Sequence, residues 1–421
     1  VITVADDVVF FECFSADESS YGCLTVDRET AFGKSAETRF GTTNVDYSWD
    51  LFDHFQALRS YRETRFKVDP TGFTVATEGN AEYREEKIDL PDGWLRGFMQ
   101  TQAAMTLPAR RVTLTCEAVY SLLAFLKRHK ARKSPRALRF EMVAGKPPAL
   151  VLEPWEQRVP VYGEPLRSSS ESIRIWGRQR LLALARLLPL ARKVEVHLLG
   201  TGLPSFWIAD MGDMKLTLGL SGWTTNDWTR GSALDLLAPP AQPSAELNSS
   251  VARFVQTKRA AAFADIDLAC GGQPAQTAAA LNHLAHTGQL IHDLPNAVYR
   301  WRQIMPKALG EAELGAENPE LAASKELLVR KNAKLDSRTQ AAGGFLVTGV
   351  AEGKPVELFL NADGLIKRGK CLCSHHYKFG IRAGPCRHLL ALRTLAMREN
   401  ESAVETSLAG WYQQLKNFTA N

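Results

Sequence analysis

The chain has 421 residues, 45% of them hydrophobic and 23% charged, enough for roughly two to four domains with cores of their own; a disordered or fibrous protein is excluded. A formal net charge of +5 is mild for this length and does not by itself announce a nucleic-acid binder. There is no apolar run long enough to span a membrane and no signal peptide, and seven cysteines without a framework spacing suit a reducing compartment, so a cytoplasmic protein is expected. The first residue is Val1, which implies that an initiator Met has been lost.

Residues 1–100 read as an α+β region. Ile2, Val4, Val8, Val9, Phe10 and Phe11 favour strands between Val1 and Phe14. Asp46–Arg62 places Trp49, Leu51, Phe52, Phe55 and Leu58 at helical spacing. A hairpin follows, Thr64–Val68 and Phe73–Thr77, turned by Asp69-Pro70-Thr71-Gly72. Residues 78–92 are acidic and polar and read as an excursion.

Residues 101–238 form a second α+β region with two βαββ-like units. Val112–Leu114 begins the first. A helix over Glu117–Lys130 follows, with Val119, Leu122, Leu123 and Leu126 on one face, then strands over Ala137–Val143 and Ala149–Leu152. The order restarts at Ile173–Ile175, with a leucine-striped helix over Arg178–Leu188 and strands over Val194–Leu199, Phe206–Asp210 and Lys215–Leu220. Asp46–Thr77 is a possible third copy. Internal duplication competes with the plain fact that βαββ is common. Both units carry basic runs, and Lys127, Arg128, Lys130, Arg132, Lys133, Arg178 and Arg180 are candidate nucleic-acid contacts. Repeated βαββ units with basic helices also describe DNA-clamp architecture, an analogy of fold alone; a solvated helix face is the plain alternative. Gly219–Trp228 is rich in Gly, Ser and Trp, and Pro239–Ser244 is the clearest linker.

Residues 245–308 look like a winged-helix domain. Helices are expected over Val251–Phe263, Asp265–Cys270 and Pro274–His286, followed by a two-stranded wing, Gln289–Ile291 and Ala297–Arg302. A third helix in the major groove is the obvious inference. Yet Pro274–Thr287 contains no Lys or Arg. Its exposed candidates are Gln276, Thr277, Asn282, His283 and His286, which leaves the phosphate term to Arg300, Arg302 and Lys307. A protein-interaction or spacer domain is the alternative.

Glu311–Glu320 reads as an acidic linker and Lys325–Leu335 as a basic helix. Next comes Cys371-Leu372-Cys373, twelve residues, then Cys386-Arg387-His388. Three thiols and an imidazole in two closely spaced pairs suit a tetrahedral structural zinc. Ordinary buried thiols are the plain alternative. Basic residues crowd the stretch, and Lys370, Lys378, Arg382 and Arg387 are further candidate nucleic-acid contacts. Residues 401–421 carry Leu408, Trp411, Tyr412 and Leu415, which predicts a C-terminal helix docking back.

The Cys-x-Cys-x(n)-Cys-x-His pattern resembles the SWIM zinc finger. Gly344–Val347 and Val356–Leu360 stand where that family has strands, and His388–Leu392 where it has a helix, so the resemblance covers roughly Gly343 to Met397, about an eighth of the chain, within a finger domain placed at residues 321–400. It implies Zn2+ held by Cys371, Cys373, Cys386 and His388, with His375 and His376 as weaker competitors. It also implies binding to DNA or to proteins. Bacterial proteins that look like this one are often encoded beside MoxR-type AAA ATPases and von Willebrand A proteins, which suggests such a partner.

No catalytic constellation is visible. Gly33-Lys34-Ser35 mimics the end of a phosphate loop, but Arg28 occupies the position of the leading glycine. There is no H-E-x-x-H, no G-x-S-x-G and no deaminase zinc signature. His54, His129 and His197 read as structural or surface residues. The expectation is a non-catalytic, zinc-stabilised α+β protein that binds DNA or RNA, partner proteins, or both. The alternative is an adaptor of an AAA ATPase or von Willebrand A assembly with no nucleic-acid contact.

Overall fold

A computed structural model describes residues 1–32, 38, 40–161, 171–222, 228, 243–305, 308–309, 319–342, 344–361, 366–381 and 384–398. The expected helix at 401–421, Lys307, Arg382 and most of the Pro239–Ser244 linker lie outside these residues. The architecture is mixed α+β with five sheets among the described residues. No helix among them is long and apolar enough to cross a membrane.

Strands β1 (Ile2–Val4), β2 (Val8–Phe14) and β3 (Ser20–Asp27) form an antiparallel meander. After the short helix α1 (Arg28–Phe32), β4 (Gly41–Thr43) returns antiparallel to β1. Helix α2 (Trp49–Gln56) starts at Ser48, whose side chain accepts from the Leu51 N–H and satisfies a donor of the first turn. β5 (Thr64–Asp69) and β6 (Gly72–Thr77) form the expected hairpin, and β7 (Tyr83–Glu86), in the stretch expected as an excursion, adds a third strand. Ile2 and Val9 pack with Leu51, Phe73 and Val75, which fixes this small sheet on one face of β1–β2.

Helix α3 (Asp92–Met105) had no counterpart among the predicted elements and crosses the expected boundary at residue 100. Two βαβββ units follow it. The first is β8 (Arg110–Leu114), α4 (Cys116–Arg128), β9 (Leu138–Met142), β10 (Ala149–Leu152) and β11 (Gln157–Pro160). The second is β12 (Glu171–Ile175), a 3-10 helix over Arg178–Arg186 where an α-helix was expected, β13 (Lys193–Leu198), β14 (Ser205–Asp210) and β15 (Met214–Leu220). The units exchange their first strands: β8 pairs β13, and β12 pairs β9. Leu122 and Leu126 of α4 share one core with Leu181 and Leu184 of the 3-10 helix.

β15 pairs β3 from Met214↔Val26 to Leu220↔Ser20, which joins the two halves into an eight-stranded sheet, β4-β1-β2-β3-β15-β14-β13-β8. The centre of this sheet is buried on both faces. On β14, Trp207 and Ala209 enter the core of the βαβββ units, while Phe206 and Ile208 enter a second core on the opposite face.

That second core is covered by α3 and by a module of α5 (Ala245–Lys258), β16 (Ala260–Ala261), α6 (Phe263–Cys270), α7 (Pro274–His286), β17 (Leu290–Asp293) and β18 (Val298–Trp301), with strands in the order β16-β18-β17. Gly288, at φ +75°, turns the chain from α7 to β17 so close to α3 that a Cβ there would sit 2.9 Å from the Met99 sulfur.

The C-terminal unit opens with α8 (Pro319–Val329) and a four-stranded meander, β19 (Ala333–Ala341), β20 (Gly344–Ala351), β21 (Lys354–Asn361) and β22 (Ile366–Cys371). The helix expected over Lys325–Leu335 ends early. Lys331 takes a left-handed φ of +57° and the Asn332 N–H caps the Leu327 carbonyl, so the chain is already extended at Ala333. α9 (Ser374–Phe379) and α10 (Arg387–Arg398) complete the unit. Leu389 and Leu392 of α10 pack on Val347, Leu358 and Leu360 of the sheet.

Candidate metal centre and nucleic-acid interface

The end of β22 delivers Cys371. Two residues on, Cys373 caps α9, its Sγ accepting the His376 N–H at 3.3 Å. Cys386 immediately precedes α10 and His388 lies in its first turn. All four side chains are buried, and their ligand atoms lie within 4.8 Å of one another. His388 Nδ1 is 3.5 Å from Cys371 Sγ. Metal–sulfur bonds of about 2.3 Å and metal–nitrogen bonds of about 2.0 Å fit inside such a cluster with small adjustments. Burial, reinforced by the neighbouring thiols, pushes the Cys386 thiol up to about 12, and burial raises Cys371 as well. Binding a dication would therefore release protons and add its binding energy to folding. His375 and His376 ride on α9 outside the four-residue set.

Sequence reasoning missed Glu352. This residue occupies the β20–β21 turn at φ +50°, and its Oε2 lies 2.9 Å from His388 Nε2. The carboxylate fixes the imidazole so that Nδ1 faces the three sulfurs. An acidic residue before Gly353 was visible in the sequence, but nothing there tied the turn to His388.

The candidate cations fall into two groups. Lys127, Arg128, Lys130, Arg132 and Lys133 are all exposed where α4 ends and the following loop begins, and none is in an ion pair among the described residues. Lys378 is exposed, and so is Lys370, 3.3 Å from Glu357. The others are occupied. Arg178 is buried, donates to the carbonyl oxygens of Ala137 and Glu153, and stacks over Trp155. Arg180 is half-buried and donates to the Ser19 carbonyl at 3.2 Å. Arg387 is held by Glu320, whose carboxylate accepts both the Arg387 backbone N–H at 2.7 Å and its guanidinium at 2.8 Å.

The helix–strand module also differs from its sequence reading. α7 packs between α3 and α5. Thr277 is buried and donates to Asp267 at 2.7 Å, and Asn282 donates to the Ala103 carbonyl and to Thr106 Oγ1 at the end of α3. The two wing arginines point inward. Arg300 pairs with Asp293 at 2.8 Å and Asp7 at 2.6 Å, and Arg302 pairs with the fully buried Glu12. Neither guanidinium is left for phosphate.

The three histidines read as structural or surface residues make local contacts. His54 and His129 bond carbonyls of their own helices, four residues back, and His197 bonds Glu195 at 2.7 Å.

No protein-family model and no curated protein matches the chain. Among solved structures, it is similar to the proliferating cellular nuclear antigen of Entamoeba histolytica (TM-score 0.37, 13% identity, covering 52% of this chain and 87% of that one). It is also similar to that of Thermococcus kodakaraensis (TM-score 0.37, 11% identity, 52% and 89%). At these scores the likeness supports no conclusion about this chain.

Proposed function

We propose that the chain is a non-catalytic binding protein, stabilised by zinc in a SWIM-like finger, that holds the backbone of a nucleic acid, DNA first, at the end of α4. The observation that carries this reading is the exposed cluster Lys127, Arg128, Lys130, Arg132 and Lys133, five cations within seven residues with no ion-pair partner among the described residues. Cations spaced this closely favour a polyanion over a single carboxylate. Four protein donors around the metal leave no position for a reactive water, which supports a structural ion. The helix–strand module has the element order of a winged helix. With its third helix packed away and its wing arginines neutralised, its part in this reading is to cover the central sheet.

The test is a salt titration of duplex DNA and of RNA of the same sequence with the zinc-loaded full chain. Binding should fall with salt at a log–log slope of about −0.9 per phosphate contact, and Lys127→Glu with Arg128→Glu should weaken it and flatten the slope by about 2. Binding that ignores both salt and the substitutions refutes the proposal. A protein partner is the second reading, supported by the exposed apolar surface of the finger. A AAA ATPase or von Willebrand A protein is the partner class that the family resemblance adds.

A further inference from the structure

β22 is the last strand of its sheet. β21 pairs it on one side, and no strand among the described residues pairs it on the other. An open edge offers a row of backbone N–H and C=O groups that another extended chain can complete. Lysines on such an edge oppose pairing between copies of one protein. The same cations attract a strand of opposite charge.

Charge here runs one way. From Ile366 to Ile381 there is no Asp or Glu, while Lys367, Arg368, Lys370 and Lys378 are exposed. The neighbouring acid, Glu357 on β21, offsets Lys370 only, in a solvent-exposed pair. Directly beyond the strand, Leu372, Tyr377, Phe379 and Ile381 are exposed at 78%, 90%, 51% and 37%. Scattered exposed apolar residues are ordinary, but four within ten residues, anchored by buried metal-site cysteines at 371 and 373, make a fixed apolar surface at the end of a cationic edge. The backbone of β22 is itself held firmly, because α10 lies so close that a Cβ on Gly369 would meet Leu389 at 2.8 Å.

We propose that this edge and the adjoining α9 turn dock an acidic, extended segment of a partner protein. Its backbone pairs with β22, its carboxylates face Lys367, Arg368 and Lys378, and its apolar side chains cover Leu372 and Tyr377. Leu372 and Ile381 give a nucleotide base nothing to stack on, whereas Tyr377 and Phe379 suit either ligand, so the open strand edge, which only another extended backbone completes, is what selects a peptide. The site uses none of the α4 cations, so it stands or falls independently of nucleic-acid binding there.

The experiment uses the zinc-loaded full chain and three fluorescent probes: a nonapeptide alternating Glu with Leu and Phe, the same peptide with Lys for Glu, and a twelve-nucleotide oligo-dT. Of the two peptides only the Glu peptide should bind, and it should protect the backbone amides of 366–371 from exchange; any oligo-dT held by the α4 cations should leave those amides unprotected and ignore the substitutions at the edge. Leu372→Ser with Tyr377→Ser, both at surface positions, should weaken it roughly tenfold or more while zinc content stays unchanged, and Arg368→Glu should weaken it too. The proposal is overturned if the Glu peptide fails to bind or ignores these substitutions. It is also overturned if the peptide leaves amides 366–371 unprotected, or if oligo-dT binds and is lost in the same variants.

Discussion

Glu352 Oε2 sits 2.9 Å from His388 Nε2, so a residue of the β20–β21 turn orients the imidazole of the Cys3His cluster. A carboxylate in this position fixes the tautomer and the orientation of the imidazole. Glu352→Ala should weaken zinc affinity about 10- to 100-fold. Glu352→Gln, which keeps the bond, should weaken it less. Competition against a chromophoric chelator measures both, and equal affinities in all three proteins would show the contact to be idle.

If zinc fills the cluster, as proposed, its removal by a chelator, like Cys371→Ser, should unfold the C-terminal unit and leave the rest standing. Cys371, Cys373 and Cys386 are themselves members of the finger core, whereas the cores on the two faces of the eight-stranded sheet contain no finger residue. Hydrogen exchange should accelerate over 333–398 and stay slow over β2, β3, β14 and β15. Uniform acceleration along the chain would contradict this separation.

Glu12 and Arg302 form a fully buried pair, and Glu12 also accepts from Tyr21 at 2.6 Å and Gln102 at 3.2 Å. Removing one partner strands the other charge, so Arg302→Met should cost about 3–5 kcal/mol. Adding Glu12→Gln should recover much of the loss. Denaturant melts of the two single variants and the double variant give the coupling, and additive losses would refute it.

His292 is buried, stacks on Tyr299 at 4.2 Å and donates from Nδ1 to the Met105 carbonyl at 2.6 Å. Burial, aided by the nearby charges of His197 and Arg111, lowers its pKa from 6.5 to about 4. The unfolded chain therefore takes up a proton near pH 6.5 that the fold refuses until about pH 4. This contribution is fully present above pH 6.5 and is lost as pH falls, to a limit of roughly 3 kcal/mol. His292→Asn keeps a donor for Met105 and should flatten the Tm profile between these pH values. An unchanged profile would assign the acid sensitivity elsewhere.

What the sequence disclosed followed from local signals. The helix over Pro274–His286 and the hairpin through Asp69–Gly72 match the structure, because a Pro start, a Gly stop and turn residues act within a few positions. That Cys371, Cys373, Cys386 and His388 would meet in one cluster was legible from their paired spacing. α3 was not, since Leu95, Phe98, Met99, Ala104 and Met105 are buried between the sheet and the α5–α7 module and leave no clear polar face. Arg302 looked like part of a basic wing because its partner Glu12 lies at the other end of the chain, as does Asp7, one of the two acids that hold Arg300; the other, Asp293, sits in the same hairpin. Glu352 was hidden in the same way.

The exchange of β8 and β12 makes each βαβββ unit a host for a strand belonging to the other. A single backbone cut between β11 and β12 would therefore divide the polypeptide without dividing the lobe, and the two pieces should reassemble when mixed, as complementing fragments. Either unit expressed alone would carry one ownerless strand and one open slot, the arrangement that invites exchange between molecules.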